Sequence, residues 1–157
     1  MVTVNRSENQ AKAQMESIKR MVERLEHAQA FSCDGEAVCP LNPSTLAEFE
    51  GTFYEYHDLE AAQQAIAEDP LSVMVRSEWS VWGGLGDALE PAEFEILLCT
   101  GGPAVRIRGD LGNNGEPTRA YLEYQDWSTP WKRFFGEDIL KDADTLLVYA
   151  RQFYFGG

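Results

Sequence analysis

Apolar positions recur every three to four residues at the start of the chain, every second residue through its middle, and again at helical spacing near the end. Residues 8–30 contain neither proline nor glycine, and Met15, Ile18, Val22 and Leu25 fall on one helical stripe. Lys19, Arg20, Glu23, Arg24 and Glu26 fall largely on the other face, so the segment predicts an amphipathic helix with Ser7 as its N-cap and residues 1–7 frayed. Asp34-Gly35 and two prolines make 33–43 a loop, and a short helix over 45–50 follows Ser44. A further helix starts after Asp58, carries Leu59, Ala62 and Ile66 on one side, and stops at Asp69-Pro70.

Beyond Pro70 the period changes from helix to strand. Leu71, Val73, Val75, Ser77, Trp79 and Val81 alternate with Ser72, Met74, Arg76, Glu78, Ser80 and Trp82. A glycine-rich loop at 83–87 leads to a second alternating run with Phe94, Ile96 and Leu98 on one face and Cys99 on the other. After Gly101-Gly102-Pro103, Val105 and Ile107 alternate with Arg106 and Arg108. Gly112-Asn113-Asn114-Gly115 is a hairpin turn, because Asn and Gly tolerate positive φ. A fourth strand over about 119–127 sets Ala120, Leu122 and Tyr124 against Tyr121, Glu123 and Gln125. The last periodic segment, 142–154, carries Leu146, Leu147, Ala150 and Phe153, with Asp142 or Asp144 as its cap.

These elements predict one α+β domain over 1–157: mainly helical from 8 to 69, an antiparallel sheet from 70 to 128, and a C-terminal helix. The architecture expected is a four-stranded antiparallel meander with the N- and C-terminal helices packed on one face, the other face being solvated. No repeat or linker divides it.

Charge changes this picture more than composition does. The chain carries a net charge of −13, and residues 31–100 hold fourteen acidic side chains against one base, Arg76. The flanks are nearly balanced, so the whole negative excess lies in the middle. Such a field attracts basic protein surfaces and repels nucleic acid and anionic lipid, so neither direct nucleic-acid nor membrane binding is expected. A hydrophobic content of 44% is ample for a core. No signal-peptide pattern opens the chain, and no apolar run approaches the about 18 residues that span a bilayer. A soluble, cytoplasmic protein with reduced thiols is expected.

Candidate chemistry is sparse. His27, Cys33, Cys39 and His57 invite a zinc site, but Cys33 and Cys39 are spaced too widely for a ligand pair, and no metal is expected. The acidic surroundings of Cys33 and Cys39 push a thiol away from the nucleophilic thiolate. His57-Asp58 are sequence neighbours, which seldom orient each other as a triad does, and Asp58 reads as a helix cap. The glycines at 83–86 and 101–102 do not stand between a strand and a helix in a phosphate-binding arrangement. Residues 110–121 resemble a calcium loop in Asp110, Asn114 and Gly115, but Gly112 stands at position 3 and Tyr121 at position 12, where a bidentate Glu is required. No enzyme and no cofactor are expected.

Two features remain. Glu48, Glu50, Glu55, Asp58, Glu60, Glu68 and Asp69 span 22 residues without one Lys or Arg. Like charges so close repel one another, which plain solubility tolerates and docking on a basic groove rewards. Four tryptophans form the second feature, and Trp127 and Trp131 bracket a turn where an indole can anchor an interface. The seven carboxylates and these two indoles are the candidate partner-binding residues.

The stretches EFEILLCTGGPAVRIRGDL, RAYLEYQDWSTPW and YARQFYFG resemble a group of small uncharacterised proteins carried on bacterial conjugative elements and phages. The resemblance covers the C-terminal side of the chain and carries no catalytic motif. It implies a mobile-element setting, in which small acidic proteins act as antirestriction or anti-CRISPR inhibitors. The expected function is a non-enzymatic inhibitor or adaptor whose nucleic-acid-mimicking carboxylates occupy a basic site on a host defence nuclease complex. The alternative is a regulatory domain that binds a small molecule or peptide on an aromatic sheet face.

Overall fold

A computed structural model describes residues 6–34, 56–77, 91–127, 129–153 and 155. The first element, α1 (Arg6–Asp34), is a single helix of 29 residues. Its buried stripe runs through Ala11, Met15, Ile18, Val22, Leu25 and Ala28, which is the apolar face that the 3–4 spacing predicts. The helix is longer than expected at both ends. Ser7 is buried inside its first turn rather than serving as its cap, and Cys33 and Asp34 are helical rather than looped.

Helix α2 (Leu59–Glu68) begins and ends where the sequence places it. The Asp58 carboxylate caps it by accepting a hydrogen bond from the Ala61 amide at 3.0 Å, and Asp69 with Pro70 stops it. Its buried residues, Ala62 and Ile66, join the stripe of α1 in the common core.

The sheet has five strands, β1 (Ser72–Ser77), β2 (Pro91–Cys99), β3 (Ala104–Leu111), β4 (Pro117–Gln125) and β5 (Lys132–Arg133), in the order of the chain and antiparallel throughout. The meander is therefore as expected and the count is not. β5 is only two residues long, pairing with Glu123 and Tyr124, and too short to leave a period in the sequence. β4 starts two residues earlier than predicted, and β1 ends within the described residues at Ser77. The predicted short helix over 45–50, the loop over 35–43, the alternation over 78–82 and the glycine loop at 83–87 lie outside the described residues.

One face of the sheet is the core. Phe94, Ile96 and Leu98 of β2, Val105 and Ile107 of β3, and Ala120 and Leu122 of β4 are all buried in one core cluster with α1 and the C-terminal helix α3 (Ile139–Ala150). Gly109 shares this face, where any Cβ would collide with the Phe94 ring and the Arg119 carbonyl. Phe94 in turn meets Phe155, ring centroids 4.8 Å apart. A bulge between Leu97 and Cys99 sets Cys99 opposite Val105, so Cys99 packs against the core and does not share the outer face as strict alternation requires. The hairpin turn is as read: the Gly115 amide donates to the Gly112 carbonyl at 3.0 Å, with Gly115 at φ +74°.

α3 starts earlier than the predicted 142–154 and ends at Ala150. Its cap is Asp138, whose carboxylate accepts from the Lys141 amide, and not Asp142 or Asp144. Asp142 lies one turn inside the helix and is buried.

Candidate functional site

Glu48, Glu50 and Glu55 lie outside the described residues. The other four carboxylates of the acidic set divide into two pairs with different work. Asp58 holds the start of α2, and Asp69 at its end accepts a 2.6 Å hydrogen bond from the Tyr149 hydroxyl, 80 residues away. Burial and the neighbouring Asp69 carboxylate push the Tyr149 phenol well above its ordinary range, so it stays a donor. These two acids are therefore structural. Glu60 and Glu68 are exposed on α2, and among the described residues neither takes part in an ion pair; Glu68 accepts a hydrogen bond from Gln64 at 2.5 Å.

The acidic residues of the sheet behave differently, because the balanced C-terminal third supplies their partners. Arg106 of β3 reaches Glu95 at 2.8 Å on one neighbouring strand and Glu123 at 2.9 Å on the other. Arg108 approaches Glu93 at 3.7 Å, and Arg76 forms a hydrogen-bonded ion pair with the same carboxylate. The one base of residues 31–100 is thus occupied on the outer face of the sheet. That face is a lattice of paired charges, whereas Glu60 and Glu68 on α2 are, among the described residues, exposed carboxylates outside it, as Glu116, Asp126 and Asp144 are elsewhere.

Trp127 and Trp131 are not equivalent. Trp131 is half-buried under the Arg106 guanidinium, which stacks 3.9 Å from the ring centroid, so it belongs to the lattice. Trp127 is 74% exposed and rests its edge on Gly102, where any Cβ would collide with the indole. The turn between them is closed by Thr129, whose hydroxyl donates to the Asp126 carbonyl at 3.1 Å and whose carbonyl accepts from Gln125. The two indoles therefore do not form one pocket, and the aromatic sheet face is a charged surface. Tyr121 there lies beneath Arg133, 4.1 Å from its ring centroid.

The two histidines flank one ring. His27, 3.7 Å from Glu23 on its own helix, lies 6.4 Å from the Tyr56 centroid, and His57 is buried beside the same ring. Among the described residues no group of three or more His, Cys, Asp or Glu could hold a metal ion. Burial raises the Cys99 thiol above its usual range, the wrong direction for a nucleophile. No described helix is long and apolar enough to cross a membrane.

A cleft that the sequence reading misses opens between β4 and α3. Its volume is about 280 Å³, and its walls include Leu122, Phe134, Leu146 and Leu147 with the Asp142 carboxylate. Phe135 and Ile139 stand exposed at its rim. The only signal for it in the sequence is Phe134-Phe135-Gly136, an apolar pair outside any period.

No family model, curated protein or solved structure matches the chain.

Proposed function

We propose that this chain is a non-catalytic inhibitor or adaptor that docks an acidic surface on a basic, nucleic-acid-binding site of a host defence nuclease complex, in the manner of an anti-CRISPR or antirestriction protein. One observation carries the reading: among the described residues Glu60 and Glu68 stand exposed and without ion pairs on α2, in a segment whose single base is already held by Glu93. A solvated helix normally interleaves both signs, and carboxylates left unneutralised attract a partner of opposite charge. Glu48, Glu50 and Glu55 precede α2 in sequence and extend the same charge. Trp127 offers an exposed indole for apolar contact.

The decisive experiment is capture from nuclease-treated host lysate on the immobilised protein, washed at low and then high salt. A basic nucleic-acid enzyme should be retained and should elute as salt screens the contact. Reversal of Glu60 and Glu68 to Lys leaves Asp58 and Asp69 at their structural posts, so the fold should persist while retention falls. The charge reversal Glu48→Lys, Glu50→Lys and Glu55→Lys should abolish retention. A partner held equally well at all salt concentrations, and by both variants, sinks the reading.

A further inference from the structure

Asp142 is the one strongly buried carboxylate among the described residues, only 6% exposed, and its two oxygens face different surroundings. Oδ1 lies 3.0 Å from the Lys19 ammonium on the α1 side. Among the described residues neither oxygen has a hydrogen-bond partner, and Oδ2, which also lacks the ion pair, is buried beside Gly136, where a Cβ would collide with it. Gly136, Phe134 and Asp142 all line the cleft between β4 and α3, so an unsatisfied acceptor stands in its wall against a backbone that carries no side chain. A buried acceptor without a donor costs free energy unless something else supplies one.

The rest of the cleft defines what that donor is attached to. Leu122, Leu146, Leu147 and the Phe134 ring are apolar, and the volume of about 280 Å³ suits one ring or a short branched chain. Thr118, Arg119, Arg133 and Asp144 also line the cleft, and an apolar patch beside a few polar groups is the usual form of a small-molecule site. We propose that this cleft binds a small molecule with an N–H donor on a compact apolar body, the donor placed on Asp142 Oδ2 and the body against Leu122, Leu146 and Leu147. The site is independent of the acidic surface of α2, and neither stands or falls with the other.

Benzamidine and methyl benzoate share a ring, but only the first carries N–H donors. Each is titrated into the full-length, isotopically labelled protein and followed by amide chemical shifts. Benzamidine should shift the amides of Gly136, Asp142, Leu122 and Leu146 saturably, with binding tighter than methyl benzoate by at least about tenfold, the ratio expected of a charge-assisted hydrogen bond from the amidinium. Ala143→Leu fills the cleft from the half-buried surface of α3 with a good helix former, and should abolish the shifts while leaving thermal unfolding unchanged. Gly136→Ala should also abolish the shifts, but with a lower unfolding temperature, because its Cβ presses on the buried Asp142 carboxylate. Three results overturn the proposal: no saturable shift at those amides, as when a water molecule satisfies Oδ2; an equal response to methyl benzoate; or undiminished binding by Ala143→Leu. Shifts confined to Glu60 and Glu68 overturn it equally, since they report only a cation on exposed acid.

Discussion

Val73 of β1 stands in one cross-strand row with Ile96, Ile107 and Leu122, on the same face of the sheet, yet it is 38% exposed where the other three are essentially buried. Its neighbour Val75 shares a row with Phe94 and is 46% exposed. Alternation fixes which way a side chain points, but a covering layer decides whether it is buried. Among the described residues that layer is α1 and α3, which lie over β3 and β4 and not over β1. Ile107→Ala should therefore cost about 2–5 kcal/mol, through lost transfer energy and a cavity that rigid neighbours cannot close. Val73→Ala in the same row should cost well under about 1 kcal/mol. Urea midpoints at unchanged slope measure both, and equal losses would break the comparison.

The outer face repeats the contrast between centre and edge. Arg106 sits between two half-buried carboxylates and over Trp131, whereas Arg76 reaches Glu93 from the exposed edge strand. Arg106→Ala leaves Glu95 and Glu123 without their shared cation and strips the indole, at a cost of about 1–3 kcal/mol. Arg76→Ala removes a solvent-screened pair worth about 0–1 kcal/mol. Adding salt should widen the gap, because it screens the exposed Arg76 pair first.

The elements with a sustained period were legible before the structure: the stripe of α1, the cap and stop of α2, the alternation of β2 to β4 and the Asn-Gly hairpin. Missing from the sequence reading were the features that depend on contacts between distant residues. β5 exists because two residues find the edge of β4, and Cys99 turns inward because one extra residue bulges β2. The acidic set was legible as an excess, but not its division. Asp58 and Asp69 look like Glu60 and Glu68 in sequence, and only the Ala61 amide and the Tyr149 hydroxyl set them apart. In sequence Asp142 and Asp144 look alike as caps, because an acid near a helix start usually is one. Its burial follows from how α3 lies against α1, which no local pattern records.

Tyr149 and Asp69 give a smaller effect with a pH signature. Tyr149→Phe removes the hydrogen bond that ties α3 to the end of α2, and should cost about 1 kcal/mol near neutral pH. The folded phenol ionises at higher pH than the unfolded one, so its contribution is complete below the unfolded value near 10 and declines as pH rises past it. The wild type should lose stability above about pH 10 with up to one proton's slope, about 1.4 kcal/mol per pH unit. The Phe variant should lack that component. Parallel alkaline profiles for the two proteins would show that the phenol is not held protonated by the fold.

The smallest effect tests the edge itself. Leu71, Val73, Met74 and Val75 are all exposed on or beside a strand with a neighbour on one side only among the described residues, the arrangement that invites edge-to-edge pairing between molecules. Val75→Lys puts a charge on the inner row at its uncovered end. If that position is as open as its exposure indicates, the lysine keeps its ammonium in water and lays its stem along the strand. The unfolding midpoint should then move by less than about 0.5 kcal/mol, as for an ordinary surface substitution. Self-association, followed by sedimentation velocity as concentration rises, should decrease. A loss of several kcal/mol would instead mean that Val75 is covered in solution, and that the inner face of the sheet is buried from β1 to β4 after all.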